Sequence, residues 1–322
     1  MARPDTQNIY NDPLFFTEYS KLARSQRGLD GAPEWPSLRQ LILSTPTPTP
    51  SPLKGQSILD LGCGYGWFCR WAAEAGATSV HGIDVSERMI AKAREMGEDT
   101  TTPTTKNKIS YIISDLETIQ LSSLENLLPV GDGQPHENEN ENSNDITTTT
   151  TTTSQPILYD VIYSSLTFHY LKNLGSLFRQ IRTYLRPGTG RFVFSVEHPV
   201  YMAPVDPAPA WMPVPTGTTG PDAAGSSSSS SKTAGDGRVV WPLNSYSDEG
   251  PRETDWLGVK GVRKQHRTVE TYVSLLLECG FVLTALREWV PSVEDVEAHP
   301  EWRDERHRPY FLLVRAEVVG GV

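Results

Sequence analysis

The sequence predicts an α/β protein in which an open, mostly parallel sheet carries helices on both faces. Between residues 57 and 200, short strand-like apolar runs alternate with helix-like segments. A glycine-rich turn, Gly62 to Gly66, directly follows the first of these strands. In open α/β sheets such turns lie at the carboxyl ends of parallel strands, where glycine lets the backbone approach a ligand. These observations predict a nucleotide-like ligand at that edge of the sheet.

Composition narrows the classes of partner. The 322-residue chain has a formal net charge of -10, and no stretch concentrates Lys and Arg with aromatic residues, so we expect neither nucleic acid nor an anionic membrane as a partner. The cysteines, Cys63, Cys69 and Cys279, show neither paired nor metal-type spacing, and no apolar signal segment opens the sequence. His299 and His307 also lack the spacing of a metal pair. We therefore expect a cytoplasmic protein without a metal site.

The spacing within the glycine turn distinguishes between kinds of nucleotide site. A dinucleotide fingerprint reads G-x-G-x-x-G/A, and its third small position would fall on Trp67, which argues against a nicotinamide-dependent oxidoreductase. No Gly-Lys-Ser/Thr follows the turn, which excludes a P-loop. The remaining pattern is Asp60-x-Gly62-x-Gly64-x-Gly66 after a hydrophobic strand. Because a lone glycine motif is weak, the later strands have to support it.

The next two strands end in acids. The second strand, residues 79–86, contains Asp84, about twenty residues past the glycine turn, where a carboxylate would accept hydrogen bonds from ribose hydroxyls. A helix is predicted over residues 87–96. The third strand, residues 109–114, is followed directly by Asp115-Leu116-Glu117. An acid after a strand is also an ordinary turn residue, so Asp115 gains weight only as part of this ordered series.

The fourth and fifth strands carry the candidates for the acceptor side of a site. Residues 157–171 predict a strand followed by small polar residues, with His169 just beyond the strand end. The fifth strand, residues 191–196, runs into Glu197 and His198, which would face an acceptor molecule. Either side chain could act as a general base for a hydroxyl acceptor. The alternative is that His198 orders the loop and Glu197 pairs with an arginine.

Two low-complexity tracts interrupt this pattern. Residues 118–156 include a run of seven threonines and residues 203–237 a run of six serines, so we expect disordered surface insertions at both places. Residues 238–267 are too aromatic and too charged for a linker, and fit either an acceptor cap or a β-hairpin that only packs against the sheet edge. The other predicted elements are helices over 12–19, 35–43, 67–75, 174–185 and 269–279, and strands over 281–289 and 309–318 around an acidic loop, 291–308.

These ordered motifs resemble those of the class I S-adenosylmethionine-dependent methyltransferases. The first motif of that family, D-x-G-x-G-x-G, matches Asp60 to Gly66, and Asp84 and Asp115 match its next two acidic positions. Residues 184–190 resemble the turn L-x-P-G-G before strand five, with Thr189 in place of the second glycine. The resemblance implies a Rossmann-like, seven-stranded, mostly parallel sheet with an antiparallel last strand, helices on both faces and an N-terminal helical lid.

The resemblance also implies a division of the chain and a set of ligands. Residues 1–50 would form the lid and a linker, and residues 51–322 the methyltransferase domain. The expected cofactor is S-adenosyl-L-methionine, with S-adenosyl-L-homocysteine as the product. The expected acceptor is a small molecule that a monomer or homodimer methylates on O, N or S. The alternative is a cofactor-binding relative with a regulatory role or with chemistry other than methyl transfer, because fold does not fix function.

Particular residues receive roles through the same resemblance. Tyr19 and Arg24 would lie over the cofactor, although the aromatic stripe around Tyr19 equally suits a helix that only covers the sheet edge. The catalytic candidates are His169, Glu197 and His198, and in many such enzymes the histidine after strand four is structural. The predicted cofactor-binding residues are Tyr19, Arg24, Asp60, Gly62, Cys63, Gly64, Trp67, Asp84, Val85, Met89, Asp115, Leu116, Glu117, Ser164, Ser165 and Leu166. The predicted substrate-binding residues are Tyr201, Tyr246, Trp256 and His266.

Overall fold

The computed structural model describes residues 8–43, 50–100, 105, 107–124, 157–213 and 239–320. Most of both predicted insertions, and most of the predicted linker after residue 43, lie outside the described residues. The α-helices are α1 (Pro13–Tyr19), α2 (Ala23–Gln26), α3 (Trp35–Ile42), α4 (Trp67–Glu74), α5 (Glu87–Thr100), α6 (Leu174–Tyr184), α7 (Pro199–Met202), α8 (Val269–Glu278) and α9 (Val293–Ala298). Short 3-10 helices span Ile9–Asn11, Gly28–Gly31, Leu121–Ser123, Phe168–Tyr170 and Pro300–His307.

Seven strands form the central sheet. The strands of the structure are β1 (Ser57–Leu61), β2 (Ser79–Asp84), β3 (Ile109–Ile113), β4 (Val161–Ser165), β5 (Arg191–Glu197), β6 (Met212–Pro213), β7 (Val239–Val240), β8 (Gly250–Trp256), β9 (Val259–His266), β10 (Val282–Trp289) and β11 (Phe311–Glu317). The sheet order is β10-β11-β5-β4-β1-β2-β3, and β8 and β9 form a separate hairpin. Strands β1 to β5 pair in parallel, whereas β11 runs antiparallel to β5 and β10. The predicted Rossmann-like sheet with an antiparallel last strand is confirmed.

A hydrophobic core lies on each face of this sheet. On one face, Leu59 packs in a cluster with Phe178 of α6 and Leu276 of α8. On the other face, Ile58 packs in a cluster with Phe68 of α4. Because successive side chains of a strand point to opposite faces, β1 supplies both cores and reads as a continuous apolar run. Helices therefore cover both faces, as the sequence predicts.

A third, smaller hydrophobic cluster joins two segments that are far apart in the chain. It consists of Ile9 and Phe15 from the N-terminal segment and Val262 from the hairpin. The ring of Phe15 meets that of Trp256 edge to face, with 5.2 Å between their centroids. Such aromatic pairs contribute beyond their buried area. The N-terminal segment is thus packed against the β8–β9 hairpin.

The parallel strands direct their carboxyl ends to one edge of the sheet. Leu61 at the end of β1 pairs in register with Ile83 of β2, and Ser165 at the end of β4 pairs with Ser195 of β5. The turns that follow these strands are therefore neighbours. In open α/β sheets this edge, outside the carboxyl ends, is where ligands bind.

Two predicted stretches differ in the structure. The helix expected to end at residue 96 continues as α5 to Thr100, because an interior glycine costs a helix only about 1 kcal/mol and does not by itself end it. The expected loop 291–308 contains α9 and a 3-10 helix, and Ser292 starts α9 with a capping box. Neither of these short helices buries a residue, so they carry no hydrophobic period that a sequence could reveal.

Neighbouring leucines on α8 provide a test of which face is inside. Leu276 is 0% exposed in the core, so Leu276→Ala should lower the free energy of unfolding by about 2 to 5 kcal/mol. Leu277, the next residue, is 55% exposed, so Leu277→Ala should change it by less than about 0.5 kcal/mol. Urea denaturation followed by circular dichroism measures both values. Equal losses in the two variants would contradict this orientation of α8.

Candidate active site

A cavity of about 800 Å³ lies at the carboxyl ends of the parallel strands. Its walls come from the N-terminal segment, from the turns after β1 to β5, and from the hairpin β8–β9. Ligand pockets typically enclose about 300 to 1,000 Å³, so this cavity has the size of a binding site. The residues predicted from the sequence that line it are Tyr19, Arg24, Gly62, Gly64, Asp84, Val85, Met89, Asp115, Leu116, Ser165, Leu166, His169, Glu197 and Trp256.

Asp84, the last residue of β2, connects two turns at the cavity. Its Oδ2 accepts a hydrogen bond from Gly64 N at 2.9 Å, and its Oδ1 accepts one from Ser86 N at 2.8 Å. Burial raises the pKa of the Asp84 carboxyl, and hydrogen bonds from the backbone of Ser86, Gly64 and Val85 oppose that shift. A carboxylate offers about four acceptor positions, so Asp84 can fix the glycine turn and still accept hydrogen bonds from a ligand.

The glycine turn lies very close to the segment that follows β4. Gly62 has a φ of +82°, and a Cβ at this position would lie 2.0 Å from Thr167 Oγ1. Only glycine therefore allows both the backbone conformation and the close approach of the two turns. Because Thr167 also lines the cavity, this contact shapes its floor.

The N-terminal segment is hydrogen-bonded to the turn after β2. Asn8 Nδ2 donates to Val85 O at 3.0 Å, and Ser86 Oγ donates to Asn11 Oδ1 at 2.7 Å. These bonds hold the segment beside the carboxylate of Asp84 and over the cavity edge. The packing against the hairpin through Phe15 holds its other side.

Tyr19 and Arg24 border the cavity from this N-terminal segment. Arg24 Nη2 donates to Glu34 Oε1 at 3.2 Å, and Glu34 is 0% exposed. A buried carboxylate thus fixes the guanidinium, which has five N–H donors in total. Arg24 can therefore keep this ion pair and still offer donors to an anionic group.

Three predicted cofactor residues lie behind the glycine turn instead of in the main cavity. Asp60, Cys63 and Trp67 border an adjoining cavity of about 110 Å³. Burial raises the pKa of Asp60 to about 7, and its Oδ2 accepts a hydrogen bond from Cys69 Sγ at 3.3 Å. The Trp67 ring packs so closely on Gly28 that a Cβ there would lie 2.5 Å from it. These side chains support the turn from behind.

Two more predicted cofactor residues do not line the cavity. Ser164 is fully buried, and its Oγ donates to Leu61 O at 2.7 Å, which fastens β4 to β1. Glu117 accepts hydrogen bonds from the backbone N–H groups of Lys172 and Asn173. Both side chains are therefore committed to positioning neighbouring backbone.

Glu197, at the end of β5, forms a buried ion pair with Lys264 of β9. Lys264 Nζ lies 2.6 Å from Glu197 Oε1, and the two side chains are 6% and 12% exposed respectively. Burial alone would raise the pKa of Glu197, but the charge and hydrogen bond of Lys264, together with the charge of Arg24, outweigh burial and leave that pKa below its usual value. The expected alternative, an ion pair of Glu197 with an arginine, is therefore corrected to an ion pair with a lysine.

His169 lines the cavity next to Glu197. Its Nδ1 accepts a hydrogen bond from the backbone N of Glu197 at 3.3 Å, so in the neutral ring Nε2 carries the proton. Burial lowers the pKa of His169 to about 4. Because the lone pair on Nδ1 already accepts this hydrogen bond, the ring can donate a hydrogen bond through Nε2 but is poorly placed to remove a proton from a ligand.

His198, the other candidate base, lies outside the cavity lining. It is 1% exposed, and its Nδ1 accepts a hydrogen bond from Val200 N at 3.1 Å, which caps α7. Its Nε2 lies 2.9 Å from Glu288 Oε1. Both ring nitrogens are occupied, so the alternative that His198 orders the loop replaces its prediction as a base.

Tyr201, Tyr246 and His266 also lie outside the cavity lining. The guanidinium of Arg308 lies 4.7 Å from the centre of the Tyr201 ring and 3.9 Å from that of Trp241. These cation–π contacts pack Tyr201 against the residue that follows the 3-10 helix Pro300–His307. His266 Nε2 lies 2.8 Å from Tyr246 O, within the hairpin region. The predicted contact of these three residues with a substrate is therefore not supported by their positions.

Several lining residues were not predicted. Arg263 and Gln265 of β9 line the cavity, and they share one face of the strand because side chains alternate. Their spacing of two residues along a predicted strand was the sequence pattern that could have indicated a shared face. Tyr10 and Tyr170 also line the cavity, with their hydroxyl oxygens 3.3 Å apart. These tyrosines occur in aromatic segments that suit a core equally well, so no sequence pattern marked them as cavity residues.

The described part of the chain contains no cluster of side chains suited to binding a metal ion. Within it, no three or more His, Cys, Asp or Glu side chains come together as a metal site would require. Cys63, Cys69 and Cys279 are buried free thiols. Across the same residues, none of the helices has the length and apolarity that a bilayer crossing requires.

An open parallel sheet with a glycine turn, an acid after β2 and a cavity at the carboxyl edge defines a Rossmann-like nucleotide-binding protein. Comparison with known proteins identifies the family. The profile of the methyltransferase domain matches residues 33–217, more than half of the chain. The chain therefore belongs to the methyltransferase family, and it is a class I enzyme that uses S-adenosylmethionine.

Individual relatives agree with this assignment. A crystal structure of an S-adenosylmethionine-dependent methyltransferase from Mesorhizobium loti is 38% identical, with a TM-score of 0.63 over 90% of this chain and 99% of that one. A protein from Listeria monocytogenes proposed to be such an enzyme is 31% identical, with a TM-score of 0.61 over 90% and 98%. An uncharacterised protein of Haemophilus influenzae is 26% identical over 313 residues, 97% of each chain.

The buried state of His169 predicts a pH-dependent loss of stability. Folding lowers its pKa from 6.5 to about 4, so the unfolded chain binds this proton first and stability falls as the pH drops below 6.5. Between about pH 8 and pH 5 the wild type should lose about 2 kcal/mol of unfolding free energy that His169→Gln does not lose. Urea titrations at both pH values measure this, with His307→Gln, a substitution of an exposed histidine, as control. If His169→Gln and the control follow the same pH dependence, the buried neutral state is wrong.

Proposed function

We propose that this chain transfers the methyl group of S-adenosylmethionine to an oxygen, nitrogen or sulfur nucleophile of a small-molecule acceptor. The observation that carries the proposal is that one cavity of about 800 Å³ is bordered both by the turns that match the cofactor motifs and by Glu197 and Trp256 on the acceptor side. Cavities of about 300 to 1,000 Å³ suit small ligands. A nucleoside-sized cofactor and a small acceptor would fit in this one, whereas a folded macromolecule would not.

Each part of the cofactor has candidate partners in the cavity lining. In this proposal Asp84 accepts hydrogen bonds from the ribose hydroxyls through the acceptor positions that Gly64 and Ser86 leave free. Asp115 would meet the adenine amino group, with Leu116 against the ring. The other lining residues proposed for the cofactor are Tyr19, Arg24, Gly62, Val85, Met89, Ser165 and Leu166.

The reaction is an in-line displacement. A lone pair of the acceptor forms the new bond to the methyl carbon, the carbon–sulfur bond breaks, and its electron pair returns to sulfur as neutral S-adenosylhomocysteine forms. Because a sulfonium is already an activated leaving group, the protein has mainly to align the reactants, which is worth about 7 kcal/mol or more in well-oriented systems. His169 would donate a hydrogen bond through Nε2, and an amine or thiolate would need no base.

We further infer the organisation of the enzyme. Residues 1–50 act as a lid and linker, and this is supported by the hydrogen bonds of Asn8 and Asn11 to the turn after β2. Residues 51–322 form the methyltransferase domain, in which the hairpin within residues 238–267 acts as the acceptor cap. Buried free thiols suit a reducing compartment such as the cytoplasm, where a monomer or homodimer would work.

Calorimetric titration with S-adenosylhomocysteine, with NAD titrated in parallel, tests the proposed site. We expect micromolar binding of S-adenosylhomocysteine and none of NAD. Binding of NAD alone would overturn the proposal in favour of an oxidoreductase. Absence of binding by both would leave a protein that has lost its cofactor.

Asp84→Ala should weaken the binding of S-adenosylhomocysteine about 5- to 150-fold, because it removes the carboxyl group proposed to accept hydrogen bonds from the ribose hydroxyls. The variant also frees Gly64 N, so a measurement of its melting temperature should accompany the titration. Glu74→Ala, which removes an exposed acid at the end of α4, is the matched control and should leave the affinity unchanged. Unchanged affinity in a folded Asp84→Ala would remove Asp84 from the cofactor site.

A further inference from the structure

The acceptor side of the cavity contains a carboxylate with one unused oxygen. Lys264 Nζ donates to Glu197 Oε1, whereas Glu197 Oε2 is buried and has no hydrogen-bond partner among the described residues. Glu197 borders the cavity, while the buried Lys264 is not part of the lining. A buried polar atom without a partner is costly, so Glu197 Oε2, on a side chain that borders the cavity, is a candidate to accept a hydrogen bond from a ligand.

The surroundings of Glu197 favour its charged form. The cationic or titratable groups that act on it are Lys264 from β9, His169 after β4 and Arg24 from α2. Four buried tyrosines also sense its charge, namely Tyr170, Tyr201, Tyr272 and Tyr310, and burial raises the pKa of each, so they remain neutral. The pKa of Glu197 is lowered despite its burial, mainly by Lys264. Glu197 is thus a persistent anion and a weak base.

We propose that the acceptor is a primary or secondary amine whose N–H donates to Glu197 Oε2, and that Lys264 is a positioning residue that holds Glu197 in place as an anion. This inference rests on the proposed methyl transfer and adds the class of nucleophile. Trp256, which borders the cavity and has Lys264 Nζ 4.8 Å from its ring centre, supplies the aromatic wall on this side.

The charge balance of the transfer agrees with an amine. The amine reacts as its free base, so an ammonium first releases a proton to solvent. The lone pair then forms the nitrogen–carbon bond while the carbon–sulfur bond breaks toward sulfur. The positive charge thereby passes from the sulfonium to the amine nitrogen, which afterwards releases a proton to solvent. Since Glu197 Oε2 would already contact that nitrogen, it would stabilise the charge as it develops, without accepting the proton.

The other two nucleophiles fit this carboxylate less well. A hydroxyl must lose its proton during attack, and a carboxylate with a lowered pKa is a poor acceptor for it. A thiolate is an anion, so an ionised Glu197 would repel it. Only the amine uses the persistent negative charge of Glu197 favourably.

Sinefungin tests the proposal without knowledge of the natural acceptor, because it carries an amine where S-adenosylmethionine carries the reactive methyl. We expect the wild type to bind sinefungin about tenfold or more tightly than S-adenosylhomocysteine, through the charge-assisted hydrogen bond to Glu197. In Glu197→Gln this ratio should approach one, while the affinity for S-adenosylhomocysteine stays the same. In Lys264→Met, Glu197 should protonate more easily, so the preference should disappear as the pH is lowered, unlike in the wild type.

Matched variants control for charge and for folding. Glu270→Gln and Lys260→Met remove exposed charges and should keep the wild-type ratio. A single buried charge is destabilising, so the double variant Glu197→Gln with Lys264→Met, which removes both charges, replaces any single variant that fails to fold. It should also bind the two compounds equally.

Turnover gives a second measurement. Methyl transfer to 2-phenylethylamine, 2-phenylethanol and 2-phenylethanethiol is compared, and we expect the amine to be methylated about tenfold or more faster than the other two. Faster transfer to the alcohol or thiol, or equal binding of sinefungin and S-adenosylhomocysteine by the wild type, would overturn the amine proposal. If no probe is methylated, the binding ratio decides. Failure to bind S-adenosylhomocysteine at all would instead overturn the proposed function.

Discussion

One buried carboxylate, that of Asp84, determines how the carboxyl edge of the sheet is built. It holds the turn after β1 through Gly64 N and the turn after β2 through Ser86 N. A buried carboxyl group is costly unless donors surround it, and here the backbone of both turns provides them. Because Ser86 also contacts Asn11, the N-terminal segment is positioned from the same place. The floor and the edge of the cavity are therefore both positioned by the carboxyl group of Asp84.

The second charged centre, Glu197 with Lys264, is not explained by stability. Removing two charges from water costs free energy that their attraction seldom exceeds, and a well-packed apolar pair at such a site is often as stable or more so. The pair also joins the hairpin to β5 across 67 residues of chain. The pair lies at the cavity wall and leaves one carboxylate oxygen without a partner. A role in binding the acceptor therefore explains the pair better than a contribution to stability does.

The sheet could be predicted because its signals are local. Each parallel strand is a short apolar run, and glycine or an acid marks its end, so β1 to β5 and the family were found correctly. The site residues were harder to predict, because adjacent residues take different positions and partners where a strand ends. Glu197 closes β5 and borders the cavity, whereas His198 starts α7 and turns away as its cap. Partners distant in sequence, such as Lys264, leave no local pattern.

The small cluster of Ile9, Phe15 and Val262 has a consequence for how the cavity opens. It joins the two walls that are not part of the sheet, one from the start of the chain and one from the hairpin near its end. Moving either wall away would expose the apolar surface of both walls to water, so the movement of one wall also removes contacts of the other. Opening the cavity between these two segments would therefore cost the contacts of both at once.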